Sequence, residues 1–343
     1  MKKLLNTLYV TTQGTYLSVV GDTIAINIEG KEKLRIPVHT LGSVACFGNV
    51  TCSPFLMGMC AEHGIAQVFF TEYGRFLARV HGPVSGNVLL RKEQYRWSDS
   101  KERSAEIAQA IVIGKIVNTR VVIQRALRDR EELALVSQVV DAVDRLATLL
   151  TDLREATDLE TIRGLEGIGA NIYFGVFDHL IGTNKTDFFF KERTRRPPLD
   201  NVNALLSFLY TLLVHDCSAA LEGVGLDPAV GFLHRDRPGR PSLALDLMEE
   251  LRAYMVDRLA LSMINRQQIS RKGFRKSESG AVVMEDDCRK EVLIAWQKRK
   301  QEEITHPFID EKISIGLIPH VQAQLLARTV RGDLDSYPPF LWK

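Results

Sequence analysis

The chain has 343 residues, 45% of them hydrophobic and 25% charged, with a formal net charge of +2. This length favours two domains over one. The composition excludes a disordered or low-complexity chain, and the near-neutral balance gives no global pull toward a polyanion or a membrane surface. Five cysteines (Cys46, Cys52, Cys60, Cys217, Cys288) are an odd number with no C-x-x-C pair, which argues against a disulfide framework or zinc ribbon and for a reducing compartment.

The N-terminal MKKLLNTLYVTTQG has too short an apolar run for a signal segment and reads as a strand. Three strands are predicted at LYVTT (8–12), YLSVV (16–20) and TIAINI (23–28), separated by Gln13-Gly14 and Gly21-Asp22. EGKEK turns the chain into LRIPV at 34–38. SPFLMGMCAEHG (53–64) has Ser53 as N-cap, Pro54 at the first helical position and Gly64 as a stop, so one helix is expected inside a β domain. AQVFF and RFLARV bracket Glu72-Tyr73-Gly74 as a hairpin. HGPVSGN (81–87) has linker composition.

Beyond Ser100 the apolar period changes to three and four: Ile107, Ile111, then Val139, Val143, Leu146, Leu150 and Leu153. Helical patterning continues over 165–181, 202–215, 242–264 and 286–303, interrupted by a small hairpin at 270–284 turning at Ser279-Gly280. LLSFLYTLLV (205–214) falls short of the ~20 apolar residues a membrane span needs. A soluble, cytoplasmic protein is expected. The fold class is α+β: a β domain with one helix (1–80), a linker (81–99), a larger all-α domain (100–335) and an extended tail (336–343).

Chemistry concentrates in the helical half. A helix opening at the N-cap Ser242 carries Asp246 and Glu249 three residues apart, hence on one face. Two carboxylates on a largely apolar helix repel each other and lose hydration unless a cation compensates them. The plainer reading is acids near a helix start, solvated and favoured by the dipole; Glu250 is assigned to it. Glu166 is a lone acid among Gly164, Gly167 and Gly169, opening a helix of apolar and aromatic residues, and the same two readings apply. His234 sits in the loop between. If Glu166, His234 and Glu249 converge, two carboxylates and an imidazole make a hard site suited to Mn²⁺ or Mg²⁺ and unlike structural zinc.

Three basic loops surround this set. HRDRPGR holds Arg235, Arg237 and Arg240. KTDFFFKERTRR holds Lys185, Lys191, Arg193, Arg195 and Arg196 against two acids. NRQQISRKGFRK holds Arg266, Arg271, Lys272, Arg275 and Lys276 with no acid. Each alone reads as a solvated loop; together they suggest a polyanion track that contacts phosphates more than bases. Arg252 is either a further phosphate contact or the partner of an acid.

The stretches RGLEGIGANIYF, LSFLYTLLVHDCSAALEGVGLDPAVGFLHRDRPGRPSLALDLMEELR and RTVRGDLDSYPPFLWK resemble the CRISPR-associated integrase of spacer acquisition, the Cas-one endonuclease family, over nearly the whole chain. The wording around 240–252 looks most like its subtype I-C branch. The resemblance implies a β-sandwich-like N-terminal domain that mediates dimerisation and an all-α catalytic domain. It places Glu166, His234 and Glu249 on the family's metal ligands and Asp246 on the neighbouring acid. Many members carry Asp where Glu249 stands. It also implies partners: double-stranded DNA as prespacer and CRISPR repeat, a homodimer, and a heterohexamer with the small Cas-two protein. The implied reaction is attack of a DNA 3′-hydroxyl on a phosphodiester. The alternatives are a non-catalytic nucleic-acid scaffold and a metal-dependent repair nuclease that uses water.

Overall fold

The computed structural model describes residues 6–80, 82 and 88–342. Most of the expected linker HGPVSGN, and the first residues of the chain, lie outside them.

The N-terminal part is built from eight strands and one helix: β1 (Asn6–Val10), β2 (Tyr16–Val20), β3 (Thr23–Ile28), β4 (Lys31–Pro37), β5 (Leu41–Phe47), β6 (Thr51–Cys52), α1 (Pro54–Glu62), β7 (Ala66–Phe70) and β8 (Phe76–Val80). They form two four-stranded sheets, ordered β1-β5-β7-β8 and β4-β3-β2-β6. Strands β2, β3 and β7 coincide with their sequence patterns. Ser53 caps α1 as expected, its hydroxyl accepting from Leu56 N–H at 3.1 Å. Gly74, at φ +84°, turns β7 into β8, and a Cβ there would collide with the Phe208 ring.

Strand β5 escaped the sequence reading. It runs parallel to both β1 and β7 and is covered on both faces, so it shows no alternation. Val44 and Cys46 face the other sheet, in a small core with Leu17, Ile24 and Leu56. Ala45 and Phe47 face the opposite way and join the main core of the helical half. There Phe47 stacks on Phe70 with ring centroids 4.8 Å apart and lies 6.0 Å from Phe208. One sheet therefore shares its core with the helices.

The helical part begins earlier than expected. Residues 88–99, read as linker, form α2 (Val88–Asp99), which buries Leu90 and Gln94. Gln94 pays for its burial: its amide donates to the carbonyls of Asp227 and Val230, both at 2.8 Å. Then come α3 (Lys101–Asp129), α4 (Ser137–Glu155), α5 (Leu159–Leu180), α6 (Asn201–Val224), α7 (Ser242–Glu249), α8 (Arg258–Asn265), β9 (Phe274–Lys276), β10 (Val282–Met284), α9 (Asp286–Gln301), β11 (Glu303–Thr305), β12 (Lys312–Ser314) and α10 (Ile318–Val330). The expected hairpin at 270–284 is β9–β10, with Gly280 at φ +82°. The ribbon β11–β12 and α10 were not anticipated, so this half is helical without being all-α.

Helix α6 is long and apolar enough by composition to cross a membrane, but its most apolar window is 61% buried inside the fold. It is the central core helix, with Val202, Leu205, Leu206, Leu209, Leu213 and Leu221 all inaccessible to solvent.

The tail is extended but not loose. Tyr337, Phe340 and Trp342 are buried, and Trp342 sits under the guanidinium groups of Arg125 and Arg258. Asn118 of α3 donates to the carbonyls of Glu250 (2.7 Å) and Phe340 (2.8 Å) and accepts from Trp342 N–H (2.8 Å).

Candidate metal centre

Three elements carry the predicted acids and histidine. Glu166 projects from α5, which begins at Leu159 under an Asp158 cap. Glu166 therefore lies two turns inside its helix, beyond the reach of the N-terminal dipole, which removes the plainer reading of it. Gly169 explains part of the local glycine density: a Cβ there would run into Ile116 of α3 and Leu149 of α4. Around Gly164 and Gly167, on other faces of the helix, there is open space, and the Glu166 side chain is itself partly exposed.

Asp246 and Glu249 lie on α7, where Asp246 is fully buried and Glu249 nearly so. The helix starts differently from expectation. Pro241 is the N-cap and Ser242 is already helical, its hydroxyl reaching Arg235 O at 3.3 Å. After Glu249 the chain tightens into a turn and then a π-helical segment, Arg252–Asp257. Such segments are rare in helices and recur at functional sites.

Asp246 organises the His234 loop. Its carboxylate accepts backbone N–H bonds from Phe232 (2.6 Å), Leu233 (2.9 Å) and His234 (2.9 Å), and pairs with His234 Nδ1 at 2.6 Å. A carboxylate at Nδ1 fixes the tautomer with the proton there and leaves the Nε2 lone pair free. Nε2 lies 3.8 Å from Glu249 Oε1. The loop can approach this closely because residue 231 is glycine: a Cβ would stand 2.8 Å from Asp246 Oδ2 and 2.9 Å from the Ser242 backbone.

Glu249 and Glu166 are joined by a residue that the sequence reading missed. Lys115 of α3 places its ammonium against Glu166 Oε1 and 2.8 Å from Glu249 Oε2. Its sequence signal was a single lysine in the apolar run AIVIGKIV. Among the described residues no three His, Cys, Asp or Glu side chains gather closely enough to hold a metal as they stand, and at this site Lys115 stands between the two carboxylates. Burial alone would raise the Glu249 carboxyl. The Arg252 guanidinium first, and the Lys115 ammonium second, outweigh it and hold it down at about 2.

Arg252 is thereby settled as the partner of an acid. It pairs with Glu249 at 2.9 Å, is largely buried and stacks on Tyr210, so it is not presented to DNA. Tyr210 and Tyr173 in turn donate to Asp257, at 2.5 and 3.1 Å. Burial pushes Asp257 up to about 6.

Glu250 corrects a second expectation. Rather than a solvated acid, it is fully buried and holds the tail: Tyr337 OH donates to Oε1, Phe340 N–H donates to Oε2 at 2.7 Å, and Gln322 donates at 3.2 Å. Burial raises its carboxyl to about 7 against these three donors.

The basic residues divide. Arg193 is internal, bonded to Asn203 and Ser207. Arg235 is exposed but paired with Glu160, and Arg275 with Glu285. Arg195, Arg196, Arg237, Arg271, Lys272 and Lys276 are exposed, and Arg240 is partly so.

The family model for the CRISPR associated protein Cas1 matches residues 8–298. The chain belongs to the Cas1 family. It is 57% identical over its full length to a protein named CRISPR-associated endonuclease Cas1 from Chlorobaculum tepidum, and 55% identical to one from Rhodospirillum rubrum, each covered completely. Among solved structures, a CAS1 protein from Thermotoga maritima superposes with a TM-score of 0.82 at 23% identity, covering 95% of this chain and 97% of that one, a likeness of fold. A Cas6-RT-Cas1–Cas2 complex gives the same TM-score at 26% identity, covering all of this chain and 36% of its counterpart.

Proposed function

We propose that this chain is a divalent-metal-dependent DNA integrase and endonuclease that joins the 3′-hydroxyl ends of a short duplex to a CRISPR repeat. Family membership supports the class of activity. One observation supports the site: Asp246 turns His234 Nε2 toward Glu249, and Glu249 shares a buried cation with Glu166.

The donor set fits Mn²⁺ or Mg²⁺. It consists of two carboxylates and a neutral imidazole, two of the three on elements locked by buried hydrogen bonds, and the carboxylates already need a positive charge between them. Glu166, His234 and Glu249 would hold the ion. When bound it would supply Lewis-acid stabilisation of the phosphate and of the attacking and leaving oxygens. The rest is done by the chain. Asp246 keeps the imidazole in its ligating tautomer, and Arg252 keeps Glu249 ionised and oriented. The exposed arginines and lysines around 195–196, 237–240 and 271–276 neutralise DNA phosphates on the approach. Transesterification exchanges one phosphodiester for another, so bond energetics require no nucleotide fuel. Water in place of the 3′-hydroxyl gives endonuclease activity from the same residues. DNA, a second copy joined through the β domains and a Cas2-type protein are the proposed partners.

The test is Glu249→Gln, which keeps volume and removes the charge. With a labelled 3′-hydroxyl duplex, a supercoiled repeat plasmid and Mn²⁺, strand transfer should fall at least 100-fold while DNA binding stays within a few-fold, the order expected when a charge-stabilising group is removed. Undiminished joining by this variant would remove Glu249 from the site, and binding without joining by the wild type itself would leave the chain a nucleic-acid scaffold. Plasmid cleavage without joining, unaffected by removal of the 3′-hydroxyl donor, would favour a repair nuclease.

A further inference from the structure

Lys115 is costly where it stands. Its side chain is 8% exposed, it interrupts an apolar helix, and its ammonium touches both acids. Removing an ammonium from water is repaid only by close, well-placed anions. Glu166 and Glu249 provide that repayment, and Lys115 cancels their mutual repulsion. An ammonium donates and cannot accept, so it leaves His234 Nε2 unused at 3.8 Å from Glu249 Oε1. A divalent cation could take all three groups. The way out for Lys115 is also visible. Glu166, the acid that the ammonium touches, is 28% exposed, so this end of the pair reaches solvent.

We propose that Lys115 is a built-in counter-ion that occupies the divalent site in the metal-free protein, competes with the cation for Glu166 and Glu249, and is displaced on binding to pair with a phosphate of the bound DNA. The inference rests on the proposed metal-dependent function. It makes Lys115 a positioning residue with two consequences. Without DNA, the wild type binds a divalent ion weakly, because the ion must evict an ammonium that has nowhere as good to go. With DNA, a phosphate offers the displaced ammonium a partner, so metal and DNA bind with positive, reciprocal coupling.

The experiment measures Mn²⁺ binding to the full chain by electron paramagnetic resonance of the free ion. It compares wild type, Lys115→Met, Lys115→Gln and Glu249→Gln, with and without a duplex whose 3′ ends lack hydroxyls. Lys115→Met should bind Mn²⁺ at least tenfold more tightly than wild type in the absence of DNA. The duplex should tighten binding by wild type severalfold and leave Lys115→Met unchanged. Glu249→Gln should lose the site in every case. If Lys115→Met proves too unstable in chelator, Lys115→Gln, which keeps a hydrogen-bond donor but removes the charge, is read in its place. Affinity equal to or weaker than wild type in both Lys115 variants would overturn the counter-ion inference while leaving the metal reading intact. Failure of wild type and Lys115 variants alike to bind Mn²⁺ at a Glu249-dependent site, with or without DNA, would overturn the metal reading and this inference with it.

Discussion

Replacing Asn118 with leucine tests whether the tail is a structural part of the site. The two side chains share the same heavy-atom count and branching, and Asn118 is fully buried, so loss of hydrogen bonding dominates the change. Three backbone groups lose their partner: the carbonyls of Glu250 and Phe340 and the N–H of Trp342. An unsatisfied buried polar group costs about 1–3 kcal/mol, so three cost roughly 3–9 kcal/mol if the tail stays in place. The protein can avoid part of this by releasing the tail. Release exposes Tyr337, Phe340 and Trp342, each side chain contributing about 1.5–3 kcal/mol when buried. Either route removes a large share of a typical domain stability of about 5–15 kcal/mol. The assay is urea denaturation, with limited proteolysis followed by mass spectrometry. Asn118→Leu should lower the unfolding midpoint by the equivalent of at least about 3 kcal/mol and open cleavage near 333–336 under native conditions. A loss below about 1 kcal/mol with the tail still protected would refute the reasoning.

Asp246→Asn removes the charge that collects three backbone N–H bonds and His234 Nδ1, and turns an amide NH₂ toward some of those donors. At about 1.5–3 kcal/mol per charge-assisted bond, it should destabilise the chain by at least 3 kcal/mol and weaken Mn²⁺ binding even where the fold survives, as thermal melts with and without the ion would show. His215 offers a pH test. Burial first, and the Arg79 guanidinium second, lower its pKa from 6.5 to about 3. Its ring lies between Phe70 and Phe76, and Arg79, which meets Glu222 at 2.7 Å, faces it from β8. The folded state holds it neutral, so its contribution is present above pH 6.5 and drains away as pH falls from 6.5 toward 3. Linkage gives a loss of about 2 kcal/mol between pH 7 and 5. Urea midpoints across that range should converge for wild type and His215→Leu on the acid side, and parallel curves would dismiss the claim.

Alternation and period carried much of the architecture, because strands covered on one face and amphipathic helices print their geometry on the chain. Strand β5 did not, since both its faces are covered, and neither did α2, whose polar composition disguises two buried residues. In the candidate site, motif likeness singled out Glu166, His234, Asp246 and Glu249, and Arg252 was already read as a possible partner of an acid. The roles of Lys115 and Glu250 eluded the sequence for one shared reason. A charged residue in an apolar run says that a partner exists but not where, and the partners here lie 51 and 90 residues away. Glu250 was misassigned because a helix-start acid normally meets water, whereas here a distant tail covers it.

The single core that runs from the β1-β5-β7-β8 sheet into the helices has a mechanical meaning. Phe47 packs against both Phe70 and Phe208, so a swivel of one half against the other would disturb aromatic packing. The span from the strand end of the chain to the Glu249 carboxylate is thus carried across one continuous core. Any assembly that grips several copies by their strand ends would fix the separation of their Glu249 carboxylates as a caliper does, at a length written into the chain.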